Sequence, residues 1–166
     1  MKKPVINLDQ LQARFITQPP NESPEKYRGA KMAEIAEHIG AQRLGYSMTI
    51  VPPGKTAFPF HNHYGNEEMF FILEGEGEVR IGEHYYPIRS GDFIACPVGD
   101  ESTAHQLINI SSTLMLKYLG VSTTRSPDLV QYPDSGKVGA VHHIDDNRAI
   151  RIRNFEKNNI GYWEGE

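Results

Sequence analysis

Between residues 42 and 119, seven short apolar runs follow one another with only a few turn residues between them. The runs span 42–51, 68–74, 77–82, 84–88, 91–96, 104–110 and 113–119, and each is rich in β-branched or aromatic residues. Pro-Pro-Gly, Glu-Gly-Glu-Gly, Arg-Ser-Gly-Asp and Pro-Val-Gly-Asp separate them, and these residues turn a chain rather than extend it. Strands so short and so closely spaced close into an antiparallel sandwich or barrel, so the spacing predicts an all-β domain. Two-residue alternation puts Val79 and Ile81 on one face of their strand, with Glu78 and Arg80 on the other.

The flanks are less regular. VINLDQLQARF fits a short helical turn or an edge strand, TQPPNESPEKYRG is a loop, and 30–39 fits a helix by propensity or an extended arm feeding the sheet. After residue 120, Ser126-Pro127-Asp128 and Tyr132-Pro133-Asp134-Ser135-Gly136 read as turns, with strands expected at 138–143 and 149–155. The 166 residues suit one hydrophobic core, so a single domain over 1–166 is expected: an arm at 1–41, a barrel at 42–120 and a wrapping tail at 121–166. The aromatic-bearing tail and the open sheet edges of a small barrel lead us to expect a homodimer.

Composition removes several functions. Seventeen basic residues against 21 acidic ones give a formal charge of -4, which offers no counter-charge for a nucleic acid backbone. No long apolar run marks a membrane span, and MKKPVINLDQ lacks the apolar core of a secretory signal, so the expectation is a cytoplasmic protein. The one cysteine, Cys96, rules out an internal disulfide framework and reads as a small buried hydrophobe.

The chemistry is concentrated in four residues. One residue separates His61 from His63, so on an extended segment both imidazoles leave the same face. A bend through Tyr64-Gly65-Asn66 can bring Glu68 beside them, and His105, 37 residues beyond Glu68, can join only through folding of the sheet. Three imidazole nitrogens and one carboxylate oxygen suit a divalent transition metal.

PGKTAFPFHNHYGNEEMFFILEG and GDFIACPVGDESTAHQLIN together resemble the two signatures of the cupin superfamily. Gly54, His61, His63, Glu68 and Gly75 match the first, and Gly91, Pro97, Gly99, His105 and Asn109 match the second. The resemblance covers roughly residues 42–120 and implies an antiparallel jelly-roll β-barrel in which His61, His63, Glu68 and His105 bind one metal at the centre. Six residues separate Gly54 from His61 and five separate Gly99 from His105, both longer than usual for the signatures. The second enlargement, Asp100 to Ala104, is expected to bulge at the barrel mouth and deliver His105 at the start of a strand. Between neighbouring acids, Glu68 stands seven positions before Gly75, as the signature requires, which leaves Glu67 for solvent or for a hydrogen bond to a ligand histidine. The tail GVSTTRSPDLVQYPDSGKVG is similar to that of small bacterial cupins, some labelled sugar-phosphate isomerases.

The expected activity is that of a metal-dependent enzyme, an isomerase being one class, acting on a small polar metabolite such as a sugar phosphate or a hydroxy or keto acid. The ion can be zinc, manganese, iron or nickel, because the ligand set does not choose among them. A binding or sensor domain and an iron dioxygenase are the alternatives. Proton transfer would need a further group, for which Glu67, Glu101 and Tyr118 are the nominated catalytic residues, with Tyr46, Tyr64 and Arg43 as secondary candidates.

Overall fold

The computed structural model describes residues 3–17, 23–145 and 148–166. Strands β1 (Arg14–Phe15), β2 (Lys31–Glu34) and β3 (Leu44–Val51) open the chain, with one short helix, α1 (Ala36–Ile39), between the last two. Next come β4 (Asn62–His63), β5 (Glu68–Glu74), β6 (Glu76–Ile81), β7 (His84–Arg89), β8 (Phe93–Cys96), β9 (His105–Ile108) and β10 (Leu116–Thr123). The chain closes with β11 (Asp128–Tyr132), β12 (Lys137–Asp145) and β13 (Arg148–Phe155).

One sheet has the order β1-β2-β3-β10-β5-β8, a second β13-β12-β11-β4, and a third β7-β6-β9. All their pairings are antiparallel. Bridges between His61 and His105 and between Thr56 and Ile108 stitch the second and third sheets into one wall. The core lies between that wall and the six-stranded sheet: Val51, Ile72, Ile94, Leu116 and Tyr118 meet Val79, Ile88 and Leu107. Full burial of one such aliphatic side chain contributes roughly 1.5–3 kcal/mol relative to exposure. This is the all-β antiparallel barrel anticipated from the strand spacing, of the jelly-roll type that the resemblance implies.

A second cluster covers the outer face of the six-stranded sheet. Ala33, Ile35 and Met48 pack there with Ile6, Leu11, Ile39, Leu73 and Leu119, so the N-terminal arm is a cover for the sheet. Both readings of 30–39 hold in part, the helix at Ala36–Ile39 and the extended arm feeding the sheet at Lys31–Glu34. Residues 31–34 are a strand because β3 offers a free edge and Lys31 to Glu34 pair along Ile50 to Ser47. Cross-strand hydrogen bonds and burial of Ala33 outweigh a propensity difference of a few tenths of a kcal/mol per residue.

Two other features go beyond the local reading. Glu74-Gly75-Glu76-Gly77, expected to turn the chain between neighbouring strands, is instead a corner where the chain leaves one sheet for another, since β5 pairs with β10 and β8 whereas β6 pairs with β7 and β9. Gly75 has φ +85, and a Cβ there would collide with the carbonyl oxygen of Met115. Between the turns expected at 126–128 and 132–136 runs β11, which pairs with β4 and so ties the start of the tail into the barrel wall. Both features come from non-local pairing, which turn-residue counts do not register.

Candidate metal centre

Strand alternation places the first two histidines. His61 and His63 face the interior while Asn62, between them, points the other way and donates from Nδ2 to the Gly99 carbonyl at 2.8 Å. His61 and His105 exchange backbone hydrogen bonds, His61 N to His105 O at 3.2 Å and His105 N to His61 O at 2.8 Å, which fixes the two imidazoles side by side. The enlarged loop does what the spacing requires. Its residues Glu101–Thr103 form a 3-10 turn, capped by the Asp100 side chain on Ser102 N, and His105 opens β9. Glu68 opens β5, with Phe70 and Ile72 following it on the buried face.

The Glu68 carboxylate is the meeting point. Its Oε2 lies 2.9 Å from His105 Nε2, 3.6 Å from His63 Nε2 and 3.8 Å from His61 Nε2. Donor atoms of His61, Glu68 and His105 all lie within 4.8 Å of one another, and His63 stands slightly outside that trio. Each ring presents Nε2 because its Nδ1 is taken. The Pro59 carbonyl accepts from His61 Nδ1 at 2.8 Å, the Asp128 carboxylate from His63 Nδ1 at 2.6 Å, and the Thr103 carbonyl faces His105 Nδ1 at 3.4 Å. With Nδ1 protonated, His61 and His63 present Nε2 lone pairs, while His105 Nε2 donates to the Glu68 carboxylate at 2.9 Å in the ion-free site and would offer its lone pair once an ion takes that proton's place. One shared proton between His105 and Glu68 stands where a cation would sit, and imidazole with carboxylate is the donor set of divalent transition metals.

The electrostatics agree. Burial, followed by the neighbouring His105, lowers the His61 pKa to about 4, so its ring is neutral and free to ligate at neutral pH. Burial pushes the Glu68 carboxyl up, but the hydrogen bond from His105 and the nearby imidazoles of His63, His105 and His61 together hold it below the ordinary value.

Asp128 was not among the residues singled out from sequence. It comes from β11, is only 9% exposed, and also accepts the Gly65 N–H on Oδ1 at 3.1 Å. Gly65 has to be small here, because a Cβ would stand 2.9 Å from that oxygen. Asn66 holds the incoming segment: its Oδ1 accepts from Arg125 N and Thr123 Oγ1, and its Nδ2 donates to the Arg125 carbonyl. No local sequence signal marks Asp128, since an Asp after Ser-Pro is ordinary turn chemistry.

A cavity of about 290 Å³ opens onto the centre. His61, His63 and Glu68 form part of its wall, with Tyr118, Tyr46, Thr49 and Glu34 among the other lining residues. Tyr118 is buried in that wall, hydrogen-bonded to Thr49, with its phenol pKa raised chiefly by burial. Glu67 is elsewhere: its side chain is exposed, and its backbone is tied to Thr123. Glu101 is exposed and lines a different cavity, beside Arg80 and His84. Tyr64 is exposed and donates to Gln131 Oε1, and Arg43 is exposed outside the lining. Cys96, paired with Glu68 across the strands, is buried, and burial with the nearby Glu68 pushes its thiol up to about 12. Among the described residues, no helix is long and apolar enough to cross a membrane.

Comparison with known proteins gives the same picture. Residues 47–122 match the family described as Cupin domain. The uncharacterized protein MJ1618 of Methanocaldococcus jannaschii is 32% identical over 89 residues, which are 54% of this chain and 58% of that one, so the chain spans a little over half of this relative. A cupin-superfamily sugar phosphate isomerase structure from Silicibacter pomeroyi superposes with a TM-score of 0.74 at 21% identity, covering 91% of this chain and 93% of its own. The polyketide cyclase RemF of Streptomyces resistomycificus has a TM-score of 0.58 at 20% identity, covering 77% and 83%. Two different activities on one architecture show a shared fold and leave the reaction to the site. The barrel, the convergent histidine and glutamate residues and the matched segment agree in giving this chain a cupin domain at residues 47–122.

Proposed function

We propose that the protein is a metal-dependent enzyme acting on a small oxygen-rich metabolite, with His61, His63, Glu68 and His105 as the metal ligands. The observation that carries this reading is the convergence of three Nε2 atoms on Glu68 Oε2, each ring held by an acceptor on its other nitrogen, at the wall of an open cavity. A bound divalent ion supplies Lewis acidity toward a carbonyl or hydroxyl oxygen.

The chain's own residues do the remainder. Pro59, Asp128 and Thr103 fix the ring orientations, so little reorganisation is needed on ligation. Phe58, Phe70 and Val121 give the cavity apolar walls that exclude water, and Tyr118 with Thr49 places hydroxyls in the same wall. Tyr118 serves as a hydrogen-bond donor rather than a base, because its raised pKa keeps the phenol protonated. Glu67 and Glu101, both exposed and outside this lining, are not assigned a role.

The test is metal analysis and turnover together. Protein purified without added metal should hold about one divalent transition ion per chain, and His61→Ala should lose it. NMR of sugar and hydroxy acid panels should then show conversion by the loaded protein and none by His61→Ala. Oxygen consumption coupled to turnover would replace this reading with a dioxygenase. Metal retention with binding but no conversion across the panels would replace it with a binding domain.

A further inference from the structure

The cavity over the metal centre has a one-sided charge. Among the described residues its lining contains two carboxylates, Glu34 and Glu68, and no lysine or arginine. Glu68 faces the three imidazoles, so Glu34, from β2 in the N-terminal arm, is the free charge that meets an incoming molecule. It is exposed at the solvent side while still part of the wall. Tyr46, Ser47 and Ser122 add hydroxyl-bearing side chains, and Met32, Phe58 and Phe70 are apolar. Arg43 and Arg125 stand near the strand ends at this side of the barrel, but both are exposed and outside the lining.

A phosphate dianion is held by guanidinium or ammonium groups, or by several N–H groups at a helix start. The lining supplies none of these side-chain cations; a divalent ion at the centre, offset in part by Glu68, would be its one positive charge and is taken up by the substrate oxygen it polarises, so a phosphate elsewhere on the substrate would meet Glu34 with no cation to hold it. The environment of Glu34 points the same way: burial and then the neighbouring Glu37 carboxylate raise its pKa, opposite to the effect of a facing cation. A carboxylate beside hydroxyls and apolar surface is instead suited to hydroxyl donors on a neutral carbon skeleton.

We infer that the substrate is an uncharged polyhydroxy compound, an unphosphorylated sugar or polyol, whose hydroxyls donate hydrogen bonds to Glu34 at the mouth of the cavity. The inference rests on the reading of the site as a metal-dependent one, and it sets this chain apart from an enzyme of sugar phosphates. Glu34 then acts as a specificity residue that favours the neutral substrate over its phosphorylated form.

Calorimetry on the zinc-loaded full chain tests this with unphosphorylated pentoses, hexoses and polyols beside their monophosphates. At least one neutral compound should bind, its monophosphate should bind about tenfold more weakly or worse, and Glu34→Gln should narrow that gap with zinc content unchanged. A monophosphate that binds as tightly as its parent, or more tightly, overturns the inference and leaves the functional reading standing. A gap that Glu34→Gln does not narrow removes Glu34 from the specificity role and overturns the inference in that form. Zinc-loaded protein that binds neither series overturns both, and protein that retains no metal overturns the functional reading at its base.

Discussion

The Asp128 carboxylate reaches His63 Nδ1 at 2.6 Å across 65 residues of sequence. It holds the tautomer that leaves Nε2 free and raises the basicity of the ring, the role an outer carboxylate plays behind a ligating histidine. Asp128→Asn should therefore weaken metal binding about 10- to 100-fold while leaving the barrel folded. Competition against a fluorescent chelator, with circular dichroism as the fold control, measures it. Unchanged affinity would show the pair to be structural only.

The two adjacent acids should separate cleanly. Glu68 points among the imidazoles and Glu67 points to solvent, so Glu68→Gln should lose most of the bound metal and Glu67→Gln should lose little. Elemental analysis of the two variants purified in parallel decides this. Equal losses would contradict the register of β5.

Acid should destabilise the metal-free protein in a defined window. The His61 pKa falls from 6.5 to about 4 on folding, mainly through burial, so between those values the unfolded chain binds more protons and stability is lost as the pH falls. Glu68, with its folded pKa also lowered, loses its contribution in the same direction as the pH falls through its ordinary value of 4.5. Thermal melts of chelator-treated protein between pH 7 and 4 should show a declining midpoint, with a shallower decline in His61→Asn. A flat profile would remove His61 as a neutral buried ring.

Cys96 should be silent in the native state. It is 2% exposed with a thiol pKa of about 12, so the thiolate that attacks disulfide reagents is scarce and shielded. Ellman's reagent should titrate no thiol in native protein and one per chain in guanidinium. Rapid native labelling would mean the barrel opens at β8.

Self-association is expected at the C-terminal end. Ile150 and Ile152 are 48% and 61% exposed on one face of β13, and Tyr162 and Trp163 are 86% and 78% exposed. Leu129, Ile152, Phe155 and Ile160 line one shallow groove there, an apolar surface of the kind that a second copy covers in a homodimer. Light scattering should give twice the 18.7 kDa chain mass, and Ile152→Lys should shift it toward the monomer. A monomeric wild-type chain would count against the dimer.

What was legible in sequence was local. The run EMFFILE reads as a strand because its alternation and β-branched residues fit a half-buried pleat, and β5 occupies those residues. His61 and His63 share a face because strand geometry has a period of two, whatever the rest of the chain does. Asp100 to Ala104 reads as a bulge because Asp and Ser favour tight turns, and the 3-10 turn at Glu101–Thr103 forms within it.

Residues 31–34 became strand because the free edge of β3 was available, and β11 became barrel wall because β4 lay beside it. Neither partner is visible from within its own segment. Sequence by itself determined the all-β character, the alternating faces and the donor types at positions 61, 63, 68 and 105. The tertiary structure alone decided that Asp128 stands behind His63, that Glu34 rather than Glu67 faces the cavity, and that no lysine or arginine lines it among the described residues. The division has a physical cause: backbone sterics and side-chain period act over a few residues, whereas a site is assembled by sheet pairing and burial across the whole chain.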